Sequence, residues 1–335
     1  MEVPVTPMVS VVVVTYQHAA YIERCVQGVS MQRADFPIEL LIGEDGSTDG
    51  TREICQRLAA EGAGWIRLFL RSRADVINIL GRPSGRSNLL RTLAKAKGTY
   101  VALCEGDDHW IDPHKLQRQV EAMELDPLAS GCFTDAFNET NGERTGFLGT
   151  YTKQHHRPIL TESDYMQGQG IPTCTFLFRR RHLEDYLAII DQFATGDTAL
   201  FTVLLGKGHF IYLPERTAVR VMHPGGTYSM QGALHHLRVA LHNLPAQDRL
   251  SNGRYSGLLL ERRSRWLRSA WNEALSHQDW ATAREVWPHL RKDRKVMGWS
   301  IYRTWLNGLL VFRPDLVRRL VQLKEWLRDP LGRKA

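Results

Sequence analysis

The chain has 335 residues, 43% hydrophobic and 24% charged, which is enough for one large or two modest domains and excludes fibrous, low-complexity and disordered classes. No apolar run reaches the roughly 18–20 residues of a membrane-spanning helix, the N-terminus has no basic-then-apolar leader, and the five scattered cysteines form no zinc spacing; the expectation is a cytoplasmic chain with reduced thiols. The net charge of +7 is unevenly spread: residues 230–335 hold 20 basic and 9 acidic residues and seven of the nine tryptophans, so a slightly acidic region 1–229 precedes a basic, Trp-rich region 230–335.

Ser10–Thr15 (SVVVVT) is a short β-branched run, predicting a buried strand. A helix over Ala20–Met31 follows, then a strand at Glu39–Gly43 and a helix at Thr51–Ala60 capped from Ser47–Asp49. Further along come a strand at Ile66–Leu70, a helix at Asn88–Lys97, a strand at Tyr100–Cys104, and a helix opening at Asp112-Pro113 and running to about Asp126. Strands alternating with helices at this spacing predict an α/β fold with a doubly wound, mostly parallel sheet. The middle region is less regular, with strands expected at Gly131–Asp135, Thr175–Phe178, Phe210–Leu213 and Val219–Met222 and a helix at Asp197–Leu205. Beyond residue 230 the pattern is helical, broken near Pro245–Gly253, Ser276–Asp279 and Arg313-Pro314.

Ligands of such sheets bind beyond the carboxyl ends of the strands. There the sequence reads Thr15-Tyr16-Gln17-His18 after the first strand, EDGSTDGT (Glu44–Thr51) after the second, and EGDDHW (Glu105–Trp110) after the fourth. Acidic groups placed beside a phosphate repel it unless a divalent cation intervenes, and oxygen ligands suit Mg2+ or Mn2+. No GxGxxG follows the first strand and no GxxxxGK[ST] occurs, which argues against dinucleotide-dependent dehydrogenases and P-loop enzymes.

TYQHAAYI, EDGSTDGT, YVALCEGDDHWIDPHKLQRQV, GDTALF (196–201) and MHPGGTYS (222–229) occur in an order that resembles family-2 glycosyltransferases of the GT-A fold, over about two thirds of the chain. The resemblance implies an inverting transfer from a nucleotide-diphosphate sugar, with UDP favoured, to a saccharide or lipid-linked hydroxyl. It implies that Asp45, Thr15 and Tyr16, with Glu44 as neighbour, line the nucleotide pocket and that Arg86 or Asn88 contacts the nucleotide. Glu105, Gly106, Asp107 and Asp108 occupy the family's D-x-D-D metal motif, with Glu in its first position. Asp107 is the first expected ligand of Mn2+ or Mg2+, Asp108 the second, and His223 closes the site. Asp197 occupies the position of the catalytic base, with Gly196 where relatives often have Glu. The last 100 residues lie outside the resemblance.

In that last part, Trp299, Trp305, Leu306, Leu309 and Leu310, then Leu316, Leu320, Leu323 and Trp326 among Arg318, Arg319, Lys324 and Arg328, have helical spacing. They fit either a helical subdomain packed on the catalytic domain with a solvated basic face or an interfacial helix on an anionic membrane surface. Two further functions compete with transfer. One is a non-catalytic binding protein for sugar nucleotides or nucleic acid, disfavoured because no nucleic-acid motif appears. The other is a sugar nucleotidyltransferase, disfavoured because its early Gly-rich, Lys-bearing loop is missing.

Overall fold

A computed structural model of the chain describes residues 6–62, 64–147, 158–226, 231–313 and 315. Contacts divide the chain into two units. The first comprises Met1–Met230 and Pro245–Tyr255, and the second comprises Gln231–Leu244 and Ser256–Ala335. The first crossing falls one residue beyond the expected division at 229/230. The expected break near Pro245–Gly253 falls within Pro245–Tyr255, but the return of that stretch to the first unit is unexpected, and the helix Ala233–Leu250 runs through Pro245.

The first unit is built on one mixed sheet. Strands β1 (Val9–Thr15), β2 (Ile38–Glu44), β3 (Ile66–Leu70) and β6 (Tyr100–Glu105) are parallel, in the order β3-β2-β1-β6. The short strands β4 (Ile77–Ile79) and β5 (Arg82–Ser84) form a separate hairpin. Beyond β6 the sheet turns mixed. β11 (Leu177–Arg179) runs antiparallel to β6 and to β8 (Ala129–Thr140), while β12 (His209–Val221) runs parallel to β8. β7 (His109–Trp110), β9 (Glu143–Gly146) and β10 (Ile159–Leu160) complete it. The strands expected at Phe210–Leu213 and Val219–Met222 are one strand, interrupted by register shifts between Leu213 and Ala218. Pro214 lies there, and its missing N–H suits a bulge.

The run of valines in β1 is explained by burial on both faces of the sheet. Val11 and Val13 join the core formed with helices α1 (Ile22–Ser30), α2 (Thr51–Glu61) and α4 (Lys115–Leu125), whereas Val12 joins Leu41, Phe176 and Phe201 on the opposite face. Each such side chain contributes about 1.5–3 kcal/mol relative to exposure. α3 (Arg86–Leu93) and α7 (Gly196–Leu205) cover that second face, and the short helices α5 (Glu162–Gln167) and α6 (Leu183–Leu187) lie between β10 and α7 in the chain. α3 begins two residues earlier than expected, which puts Arg86 and Asn88 in its first turn.

The second unit is helical. It contains the start of α8 (Ala233–Leu250), then α9 (Ser256–Ser276), α10 (Trp280–Lys292) and α11 (Ile301–Phe312). Asp279 caps α10 by accepting from the Thr282 N–H at 3.1 Å. Trp271, Trp287 and Trp299 share its core with Leu267, Val286 and Leu290. Trp299 is thus 7% exposed inside the unit and is not part of a free apolar face. In the RRSRW stretch, Arg263 pairs with Asp293 at 2.8 Å and Trp266 packs against the same core. The apolar and basic positions expected at 316–328 lie outside the described residues, as do the side chains of Trp305 and Leu306. No helix among the described residues is long and apolar enough to cross a membrane.

Candidate active site

Strand register brings the motifs to one edge. Thr15 pairs with Glu44, and Val14 with Glu105, so β1, β2 and β6 end side by side. The loops continue the pairing: the Asp45 N–H donates to the Thr15 carbonyl at 3.0 Å, and the Gly106 N–H to the Val14 carbonyl at 2.9 Å. Gly106 is required sterically. A Cβ there would stand 2.6 Å from Thr15 Oγ1 and 3.1 Å from His18 Nδ1.

The loop after β1 is clamped to the loop after β2. Gln17 adopts the left-handed conformation (φ 56°) rare for a side chain of its size. Its N–H donates to Ser47 Oγ at 3.0 Å, the His18 N–H to Thr51 Oγ1 at 2.8 Å, and the Ala19 N–H to Asp49 Oδ2 at 3.0 Å. Asp49, one residue before the N-cap Gly50, also accepts from the Thr51 N–H at 3.0 Å; Gly50 itself carries no side-chain cap bond. Glu44 is fully buried and committed to this turn, accepting from the Ser47 N–H at 2.5 Å and from Arg52 Nε at 2.6 Å. It shapes the loop and does not face an open side.

Asp45 is 4% exposed and pairs with Arg73 Nη1 at 2.7 Å, while the Arg73 guanidinium lies 4.0 Å from the centre of the exposed Tyr16 ring. Burial pushes the Asp45 carboxyl above its usual range despite Arg73. Arg73 was not legible in the sequence, because it follows β3 in a stretch with no acidic motif. Arg86 and Asn88 are turned inward. Arg86 Nη2 donates to the Phe193 carbonyl at 2.5 Å, and Asn88 Nδ2 to the Gly43 carbonyl at 2.8 Å. Both tie α3 to its neighbours.

The acidic loop after β6 meets the end of β12. Asp107 Oδ2 lies 3.0 Å from His223 Nε2 and 3.7 Å from His18 Nε2. His223 packs against the Tyr21 ring at 4.8 Å. Burial pushes the Asp107 carboxyl up, but the His223 hydrogen bond and the His18 charge outweigh this and hold it below its usual range. The same bond raises His223, whereas burial lowers His18. One oxygen each of Asp107 and one nitrogen each of His18 and His223 lie within 4.8 Å of one another. The expected second ligand, Asp108, does not join them. It is buried, and its Oδ1 accepts from the Val221 N–H at 2.9 Å, because adjacent side chains in a tight turn diverge. His18 stands where Asp108 was expected.

Glu105 has a buried Oε2 with no hydrogen-bond partner, and its carboxyl is pushed up to about 7 by burial and then by the charges of Asp107 and Asp197. Asp197 is solvent-exposed in the first turn of α7, accepting from the Thr198 N–H at 2.6 Å. The structure therefore brings Asp107, His18 and His223 together, with Thr15 Oγ1 3.2 Å from His18 Nδ1, while the charges of Asp107 and Asp197 both raise Glu105. Two imidazoles and a carboxylate form a donor set that fits a divalent cation.

A putative teichuronic acid biosynthesis glycosyltransferase of Bacillus subtilis is 32% identical over 208 residues, covering 62% of this chain and 75% of that protein. An uncharacterized protein of Mycobacterium tuberculosis is 36% identical over 124 residues, 37% of this chain; the match spans about a third (34%) of the relative's length. Among solved structures, S. aureus TarS 1-349 in complex with UDP-GlcNAc is similar with a TM-score of 0.54 at 17% identity, covering 90% of each chain. A mannosyltransferase of Pyrobaculum calidifontis in complex with GDP-Man and Mn2+ gives 0.53 at 18% identity, covering 95% of this chain and 88% of that one. These likenesses establish the GT-A fold, and the family profile Glycosyl transferase family 2 matches residues 10–187, more than half of the sequence. The chain belongs to glycosyl transferase family 2.

Proposed function

We propose that the chain is an inverting, cation-dependent glycosyltransferase that moves a sugar from a nucleotide-diphosphate donor, with UDP favoured, to a hydroxyl of a saccharide or lipid-linked acceptor. Bacterial surface-polysaccharide or glycoconjugate synthesis on the cytoplasmic side is the setting we favour; the teichuronic acid name of the Bacillus relative supports it. The neighbours with UDP-GlcNAc and with GDP-Man and Mn2+ support a nucleotide-sugar donor and a divalent cation, Mn2+ or Mg2+.

The observation that supports the reading best is that Asp107 Oδ2 lies 3.0 Å from His223 Nε2 and 3.7 Å from His18 Nε2, a cluster able to hold a cation, while Asp197 stands exposed in the first turn of α7. Asp45 accepts a hydrogen bond from the base, which requires Arg73 to give way or share it, and Tyr16 offers a ring face beside it. Asp107 and His223 hold the cation, whose chemistry when bound is to neutralise charge on the leaving diphosphate. Asp197 takes the proton of the acceptor hydroxyl as its oxygen bonds to the anomeric carbon and the bond to the diphosphate breaks; attack from the opposite face inverts that centre. The Pro224–Gly226 turn after His223, closed by a Gly226 N–H to His223 carbonyl bond of 2.9 Å, borders the cation residues.

Asp197→Asn tests this. Transfer from a UDP-sugar should fall by about 10²–10⁴-fold with UDP affinity unchanged. Activity within severalfold of the parent protein would remove Asp197 as the base.

A further inference from the structure

We propose that His18 is a third protein ligand of the divalent cation, and that the His18–Asp107–His223 set favours Mn2+ over Mg2+. The inference rests on the reading of Asp107 and His223 as cation residues and adds to it a residue from the loop after β1.

Three observations carry it. First, the ligand atoms are already nearly assembled. Metal–ligand bonds of about 2.1 Å place two ligands of one ion roughly 3–3.5 Å apart. The Asp107–His223 separation is 3.0 Å, that of Asp107 and His18 is 3.7 Å, and all three atoms fall within 4.8 Å. At 3.7 Å, His18 Nε2 is beyond hydrogen-bond reach of the carboxylate. An ion between them closes that gap.

Second, the ring is oriented from behind. His18 Nδ1 faces the buried Thr15 hydroxyl at 3.2 Å, which leaves Nε2 as the nitrogen turned to Asp107. A hydrogen bond to the distal nitrogen is the usual means of fixing a ligating imidazole.

Third, the backbone of this residue is held by more than its neighbours in sequence. The left-handed Gln17 and the bonds from Ser47, Thr51 and Asp49 fix residues 17–19 against the loop after β2. Gly106 leaves the room that the His18 ring occupies. Two imidazoles and one carboxylate form a nitrogen-rich set, whereas Mg2+ prefers oxygen and retains its water.

The test measures Mn2+ binding to the full chain by loss of the free-ion electron paramagnetic resonance signal, with and without UDP, for the parent and for His18→Ala, His18→Gln, Asp107→Asn and His223→Ala. The expected result is a loss of at least about tenfold in Mn2+ affinity for both His18 variants, and retention of Mn2+ by the parent in a hundredfold excess of Mg2+. Parent-like affinity in folded His18 variants, with affinity lost in Asp107→Asn, overturns the proposal and leaves the cation reading standing. Parent-like affinity in Asp107→Asn and His223→Ala overturns that reading itself. A second measurement needs no variant. Electron spin-echo modulation of the Mn2+-loaded parent protein should report two coordinated imidazole nitrogens, and a single nitrogen refutes the role of His18.

Discussion

Replacing Lys115 by methionine should abolish a rise in stability that the parent protein shows between about pH 8 and 10. Lys115 opens α4 with its side chain fully buried. Nζ donates to Gln119 Oε1 at 2.6 Å and sits 4.1 Å from the centre of the buried Trp110 ring. Among the described residues, no carboxylate forms an ion pair with it. Burial pushes the ammonium down to about 8 from 10.5, against weaker upward pulls from Cys104, Cys132, Cys174 and Asp112. At about 1.4 kcal/mol per tenfold in proton affinity, the protonated side chain costs the folded state about 3 kcal/mol. Below pH 8 both states are protonated and the full cost applies. Between 8 and 10.5 the folded state sheds the proton while the unfolded state keeps it, so stability rises with pH; above 10.5 the cost is gone. In the methionine variant this dependence is absent. Its stability at pH 7 is a poorer diagnostic, because Gln119 Oε1 is left unpaired at about 1–3 kcal/mol. Denaturant unfolding followed by near-UV circular dichroism at pH 7.5, 8.5 and 9.5 reads the difference between parent and variant. A difference that stays constant across this range would refute the argument.

Two further outcomes are expected, one from the packing at Gly106 and one from the charge of the C-terminal sequence. Gly106→Ala should lose about 2 kcal/mol, or roughly 4–8 °C in Tm, because Thr15 has to retreat from the new methyl group; Gly85→Ala, which meets nothing within 4 Å, should leave Tm unchanged, and equal behaviour of the two would sink the steric account. If the basic C-terminal residues dock on an anionic membrane surface, the full chain should co-sediment with phosphatidylserine vesicles and release at high salt, and the variant Arg318→Glu/Arg319→Glu should stay in solution; undiminished sedimentation of that variant would count against the idea.

The parallel half of the sheet was legible because β1, β2, β3 and β6 are short β-branched or apolar runs bounded by polar turns, and β1, β2 and β6 need burial on both faces. The mixed half was harder to read. β8 continues five residues past its apolar start, as far as Thr140, because β9 and β12 supply its hydrogen bonds, and tertiary pairing of this kind leaves little mark in local pattern. Within the site, the meeting of Asp107 with His223 was foreseen from motif order. The exchange of Asp108 for His18 was not. Only the turn after β6 decides which of two adjacent carboxylates faces the centre, and only the clamp from Ser47, Thr51 and Asp49 carries His18 there. The resemblance implies that Arg86 or Asn88 contacts the nucleotide; both lie in the first turn of α3, bonded to the Phe193 and Gly43 carbonyls.

The path of the chain through Pro245–Tyr255 limits how these proteins can be cut and recombined. Ala246 belongs to the hydrophobic core of the first unit, Gln247 Nε2 donates to Thr202 Oγ1 at 3.2 Å, and Arg254 pairs with Glu162 at 2.9 Å. Stopping translation at residue 229 would leave a hole beside α7 and strip partners from both residues. Chimeras that exchange the helical unit between relatives therefore have to carry this eleven-residue graft with the sheet, joining twice at Gln231 and Ser256 with a break at Leu244, and not once at the apparent seam.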